Sequence, residues 1–428
     1  MKMSWTVRAA LALPLPIAAC GGSQPAPTGT TNIVSSAPTP SVTPSPTPSA
    51  TPRSIVGVNA TPVATFTTAW AMDFLTNDRI LVSERGDITI QQAGRLWLMT
   101  PDGARVEVTG MPANTGIYYV LKSPDYDVTG LVYISYFEPG GPGEPRRGRN
   151  AADTRYNPEG LTVLRAQLAP SLVSPTLRNV EVIWRQEQIV PIPTGFQIGA
   201  YMAFSPDGRY LFIGGGARDE FEGIQSLGNA LGKTVRIFPN GGIPPDNPFV
   251  STPGARGDIW TLGHRNVYGI AFAPDGRQWQ TEHGPQGGDE VNLIVPGSNY
   301  GWPLVSNGNN NNEPSGDIPD HRPGDGFAGP AFTWTTAIAP AGMFFYRGTR
   351  FAAWQGDAII GGLRSRSLLR LRFSGENVEV AQEIPMNVRV RHVSQAPDGS
   401  IWAIEDFPTG PNGGGPGRIL KLDPIFGS

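Results

Sequence analysis

Ser205-Pro206-Asp207-Gly208-Arg209-Tyr210-Leu211-Phe212-Ile213 joins a turn to a strand, and its recurrence along the chain decides the fold. Pro presets φ for the second position of a turn, Asp closes the turn through its side chain, and Gly accepts the left-handed backbone that ends it. The apolar run that follows has the length and composition of a strand. Similar units stand at Asn77-Asp78 before Ile80-Leu81-Val82, at Pro124-Asp125-Tyr126 before Leu131-Val132-Tyr133-Ile134, and at Pro274-Asp275-Gly276 before Gln278-Trp279. They continue at Gly356-Asp357 before Ala358-Ile359-Ile360 and at Pro397-Asp398-Gly399 before Ile401-Trp402-Ala403-Ile404. From about Ile55 onward no long amphipathic segment of helical period interrupts them. Asp-centred turns also occur in sandwiches, but six recurrences in one continuous stretch predict an all-β chain folded as a six-bladed β-propeller of four-stranded antiparallel sheets.

Composition agrees with a loop-rich β protein. Of 428 residues, 16% are charged and the net charge is -3, so no electrostatic footprint for nucleic acid is present. One Cys excludes an internal disulfide framework and a Cys-based zinc site. The four His, at 264, 283, 321 and 392, are too scattered to predict a His cluster.

The single Cys explains itself by position. Lys2 and Arg8 precede an apolar run, Ala9 to Ala19, too short to span a bilayer, and Ile17-Ala18-Ala19 leads into Cys20. Residues 1–19 read as a bacterial signal peptide, and the ending resembles a lipobox, implying cleavage before Cys20 and a lipid on its sulfur. An ordinary cleaved signal is the alternative. Residues 20–53 are Pro-, Thr- and Ser-rich, a composition that buries no core and favours extended chain. The expected organisation is a lipid-anchored tether followed by a propeller over 54–428, exported across the inner membrane to the cell envelope or periplasm.

The stretch from Gly263 to Pro303 packs Arg, Asn, Glu, Asp and Gly into loops between short apolar runs. Arg265 and Asn266 offer a planar donor fork plus an amide for an anionic ligand. Gly284-Pro285 leaves carbonyl oxygens of the kind that suit a hard cation. The motifs Gly263-His264-Arg265-Asn266, Glu282-His283-Gly284-Pro285 through Asp289-Glu290-Val291-Asn292, and Asn299-Tyr300-Gly301-Trp302-Pro303 occur in this order in the soluble glucose/sorbosone dehydrogenases, and the chain resembles that family. The resemblance runs from Ile55 to Pro424 and includes Leu231 to Phe249 and Ala337 to Gly348.

What the resemblance implies is a six-bladed propeller holding pyrroloquinoline quinone (PQQ) over a calcium ion. A sugar hydride passes to the quinone while a His takes the hydroxyl proton. It assigns Arg389 and Arg391 to the cofactor carboxylates, Arg364 to a position the family fills with Lys, and Arg265 to the quinone oxygen. Asn114 falls where the family has a Gln near the cofactor, Asn266 completes the binding set, and the carbonyls of Gly284 and Pro285 are implied calcium ligands. Asp289 and Glu290 are expected to brace that loop, Asn299 to Pro303 to form a structural turn, and Ser306 to Pro314 lies where some relatives hold a second calcium.

The expected base is replaced. The family's His falls on Gln197, seven residues before Phe204, and an amide accepts no proton at neutral pH. The Asp that would orient that His falls on Gly216. A substitute base is expected from Asp219 or Glu220. The resulting expectation is an oxidoreductase acting on a small sugar or polyol, with an electron acceptor as second partner. The alternatives are a ligand-binding propeller that has lost oxidation and, more weakly, a calcium-dependent hydrolase.

Overall fold

The computed structural model describes residues 52–86, 92–139, 159–186, 197–218, 221, 223–309, 318–406 and 416–427. Cys20, the signal peptide and nearly all of the tether lie outside them, as do Asp219, Glu220 and residues 310–314 of the second implied calcium loop.

Six four-stranded antiparallel sheets form the blades, drawn from residues 69–107, 116–185, 199–262, 267–334, 340–385 and 389–426. The sixth sheet takes its outer strand from the other end of the domain, where Ile55–Phe66 pairs antiparallel with Gly417–Phe426. The innermost strands are Ala69–Thr76, Gly116–Lys122, Gly199–Phe204, Val267–Phe272, Pro340–Phe345 and Arg389–Gln395, and each contacts the next around a closed ring. The expected six-bladed propeller is the observed fold.

Each of the six Asp-centred turns joins an innermost strand to the second strand of its own blade. In the three Pro-Asp-Gly turns the Gly N–H donates back across the turn: Gly208 to Ser205 O at 2.8 Å, Gly276 to Ala273 O and Gly399 to Ala396 O at 2.9 Å. Their φ values of 71°, 86° and 79° are what Gly permits. The second strands explain the apolar runs: Leu211–Gly215, Ala358–Gly362 and Ile401–Asp406 are buried along their whole length between neighbouring blades.

At the opposite end every innermost strand shifts register against its neighbour. The displaced residues are Trp70, Tyr118, Ala200, Tyr268, Gly342 and Arg391. Such bulges re-aim side chains near a rim. Ser83 and Ser135 tie two of them to the next blade. Ser83 Oγ accepts from Ala71 N at 3.1 Å and donates to Tyr118 O at 2.7 Å. Ser135 Oγ repeats the pattern with Tyr119 N and Ala200 O, at 3.1 and 2.7 Å.

Candidate functional site

The sequence-predicted residues gather at the bulged end, where innermost strands begin and second strands finish. Asn114, Gln197, Arg265, Asn266, Arg389 and Arg391 stand at or just before the starts of innermost strands. Gly216, Gly284, Pro285 and Arg364 follow the ends of second strands.

Asp406, the last residue of the strand Ile401–Asp406, organises the cationic part of this mouth. Arg391 donates to it through Nε at 3.2 Å and Nη2 at 2.8 Å, and Arg389 through Nε at 3.0 Å. The two are not equivalent. The Arg391 side chain is 8% exposed and lies 4.0 Å from the Trp70 ring centre, whereas the Arg389 side chain is 36% exposed and reaches Leu363 O at 3.3 Å. Burial opposes charge on Asp406, but Arg391 and Arg389 outweigh it and hold its pKa below the ordinary carboxylate value. Arg364 is exposed on the loop that Arg389 touches through Leu363.

Arg265 sits on the opposite side of the same end. Its backbone N–H donates to Glu282 Oε2 at 3.0 Å, and its Nη1 donates to Gly284 O at 2.9 Å and His283 O at 3.3 Å. Thus Arg265 meets one of the implied calcium-binding carbonyls directly. That carbonyl oxygen has a second lone pair, so it fits a cation as well. Asp289 braces the loop as expected: Oδ1 accepts from Gly284 N at 2.9 Å, and Oδ2 accepts from Ile338 N and Ala339 N, each at 2.7 Å. Asn299 closes the turn that supports the Gly263–Asn266 motif, its Oδ1 accepting from Gly301 N at 3.0 Å. His264 is a core residue with no exposure, bonded through Nδ1 to Glu282 Oε1 at 2.6 Å and through Nε2 to Thr261 Oγ1 at 2.8 Å.

Gln197 is buried, with φ of 46°. Its carbonyl accepts from Arg218 N at 3.2 Å and fills the space in which a Cβ on Gly216 would stand. An Asp at 216 is therefore excluded by the backbone of the residue it would serve. Asn266 links this strand to the calcium-loop side: its Oδ1 accepts from Gly199 N at 3.0 Å, and its Nδ2 is 3.4 Å from His283 Nδ1.

Two residues of the mouth escaped the sequence reading. His283 is half-buried, stacks on Tyr268 with ring centres 4.3 Å apart, and donates from Nε2 to Pro340 O at 2.7 Å. Burial, against the pull of Asp289, lowers its pKa to about 4, so the ring is neutral at pH 7 with both nitrogens turned to protein partners. Arg85 follows the strand Arg79–Glu84 and lies 5.1 Å from the Trp70 ring centre. The signal for both was positional, since each directly follows a second strand, as Gly216 does.

The arrangement therefore offers guanidinium groups around a rim, above buried aromatic rings. Among the described residues no group of three or more His, Cys, Asp or Glu side chains could hold a metal. Residues 66–416 match the glucose/sorbosone dehydrogenase family model. The aldose sugar dehydrogenase YliI of Escherichia coli is 32% identical over 369 residues, covering 83% of this chain and 90% of its own. The apo crystal structure of the soluble aldose sugar dehydrogenase from Escherichia coli has a TM-score of 0.72 at 29% identity, over 86% of this chain and 100% of that one. The PQQ-bound aldose sugar dehydrogenase from Streptomyces coelicolor has a TM-score of 0.62 at 26% identity, over 87% of this chain and 100% of that one. The chain belongs to the glucose/sorbosone dehydrogenase family, as do these aldose sugar dehydrogenases.

Proposed function

We propose that this protein is a PQQ-dependent dehydrogenase of a sugar or polyol, assisted by calcium and working with Gln197 where the family's base would stand. The observation that carries it is the gathering of Arg265, Arg364, Arg389 and Arg391 at the end of the propeller where the innermost strands begin. Bound there, the quinone would supply the two-electron oxidant for the alcohol carbon.

The chain's own residues bind and orient. Arg389 and Arg364 present exposed guanidinium surface to carboxylates, and Arg391 beneath them anchors Asp406 so that the pair stays in place. The carbonyls of Gly284 and Pro285 would hold calcium, and Asn114 would contribute an amide from its loop. Gln197 can donate to or accept from a substrate hydroxyl but takes no proton from it, so proton removal falls to solvent or to Asp219 and Glu220. Secretion, lipid attachment at Cys20 and a tether over 20–53 complete this reading and place the propeller at the cell envelope.

The deciding experiment is calorimetric titration of the purified domain with the quinone, with and without calcium, followed by dye reduction with a panel of aldoses and polyols. Calcium-dependent binding with sugar-dependent dye reduction supports the reading. Binding without any reduction would favour a ligand-binding propeller, and absence of binding would leave the family likeness one of fold.

A further inference from the structure

Arg85 stands apart from the other cations of the mouth. Arg389 and Arg391 share one carboxylate, and Arg265 is committed to the carbonyls of His283 and Gly284. Arg85 is half-buried, and its side chain donates from Nε to the neighbouring Gly86 O at 3.3 Å. Among the described residues no carboxylate lies within ion-pair distance of it.

Its position is fixed by the blade. Arg85 N donates to Thr68 O at 3.0 Å, and Gly86 N donates to Thr68 Oγ1 at 3.1 Å, which pins the chain to the start of the first innermost strand. The guanidinium then extends over Trp70, with its central carbon 5.1 Å from the ring centre, while Arg391 from the sixth blade lies 4.0 Å from the same ring. Trp70 is thus flanked by two cations that enter from neighbouring blades. The reach inward is considerable: burial raises the pKa of the Tyr268 hydroxyl on the fourth blade, and the positive charges of Arg391 and Arg85 both oppose that rise.

We propose that Arg85 is a further anion-binding residue of the mouth, holding a carboxylate of the bound quinone from the first blade, beside Arg389 and Arg391 of the sixth. This rests on the quinone reading above. Arg389 and Arg391 already share Asp406, whereas Arg85 brings to the mouth a cation that no carboxylate of the described residues engages. A guanidinium already lying on an indole face presents its N–H edge to a planar carboxylate with little loss of freedom.

The test is calorimetric titration of the calcium-loaded protein with the quinone, comparing wild type, Arg85→Met and Arg85→Lys, with thermal unfolding as a check on the fold. Met keeps an unbranched chain over Trp70 without charge. The expected result is binding roughly ten- to a hundredfold weaker in Arg85→Met, as for one charge-assisted hydrogen bond, with partial recovery in Arg85→Lys. The drop in affinity between low and high salt should also be shallower in Arg85→Met. Equal affinities and equal salt dependence in all three proteins would overturn the role of Arg85 while leaving the quinone reading intact. No binding by wild type would overturn both.

Discussion

The carbonyl oxygen of Gln197 occupies the volume that any side chain on Gly216 would need. Gly216 therefore cannot take an orienting Asp while the Gln197 backbone stays in place. Gly216→Ala is expected to destabilise the propeller by about 1–3 kcal/mol, as for an overpacked core, and Gly216→Asp by more. Urea unfolding followed by tryptophan fluorescence measures both. Wild-type stability in either variant would mean that the loop between Gln197 and Gly199 yields readily.

Gln197→His, made alone, is expected to fold, because His is among the residues enriched in the left-handed backbone that Gln197 already adopts. If the position faces the substrate hydroxyl, turnover with quinone and calcium should rise by about tenfold or more, short of the roughly hundred- to ten-thousandfold of an oriented base. Steady-state dye reduction decides it. A fall in turnover would point to a native base elsewhere, with Asp219 and Glu220 the next residues to replace.

Asp406 is nearly unexposed and neutralises the buried Arg391. Removing it with Asp406→Leu should cost about 3–5 kcal/mol, because a buried guanidinium would lose its partner. Asp406→Leu combined with Arg391→Met should recover much of that loss, and a double-mutant cycle in urea gives the coupling. Because the Asp406 pKa is depressed in the fold, its contribution is present above the ordinary Asp value near 3.9 and disappears as pH falls through the lower folded value.

His392 is 2% exposed, donates from Nε2 to Met72 O at 3.0 Å, and has its pKa lowered by burial from 6.5 to about 4. The folded protein keeps this ring neutral while the unfolded chain protonates it below about 6.5, so its contribution to stability is full above that pH and falls as the medium is acidified toward 4. His392→Gln removes that loss. Between pH 7 and 5 the variant should lose about 2 kcal/mol less than wild type, read as the difference of two urea midpoints at each pH. Asp73, whose pKa burial raises to about 6, acts in the opposite sense and is common to both proteins. Parallel pH profiles would mean that the buried imidazole is protonated in the native state.

Ser83 and Ser135 tie consecutive bulges together by the same pair of bonds. Ser135→Ala leaves Tyr119 N and Ala200 O without their hydroxyl partner, and a loss of about 1–3 kcal/mol is expected. Ser83→Ala should cost a similar amount, and the pair should be near additive if the bulges are independent. Thermal unfolding of the two single variants and the double variant tests this.

The propeller was legible because the turn chemistry repeats at one structural place. Pro206-Asp207-Gly208, Pro274-Asp275-Gly276 and Pro397-Asp398-Gly399 all sit where an innermost strand turns outward, and Gly there satisfies a backbone requirement that leaves a mark in the sequence. The six bulges left no comparable mark. Trp70, Tyr118, Ala200, Tyr268, Gly342 and Arg391 share no side-chain chemistry, since the shift arises from pairing between strands rather than from any residue. The same contrast divides the mouth. Arg265, His283, Arg389 and Arg391 lie in dense motifs, whereas Arg85 reaches the mouth only because a second strand ends there. Gln197 was legible as a residue, but the exclusion of a side chain at Gly216 depends on a carbonyl direction that composition does not encode.

The pairing of Ile55–Phe66 with Gly417–Phe426 sets a condition on biogenesis. The strand made first in this domain finds its partner only when the strand made last has appeared, so the ring stays open until that strand has emerged. A chain threaded through a membrane pore would likewise reach the far side with its sixth blade incomplete, and closure would be the step that follows release. The ring then carries a built-in check of integrity. Loss of the final strand would leave not a slightly shortened protein but five blades and a frayed sixth, with unpaired strand edges open to other chains.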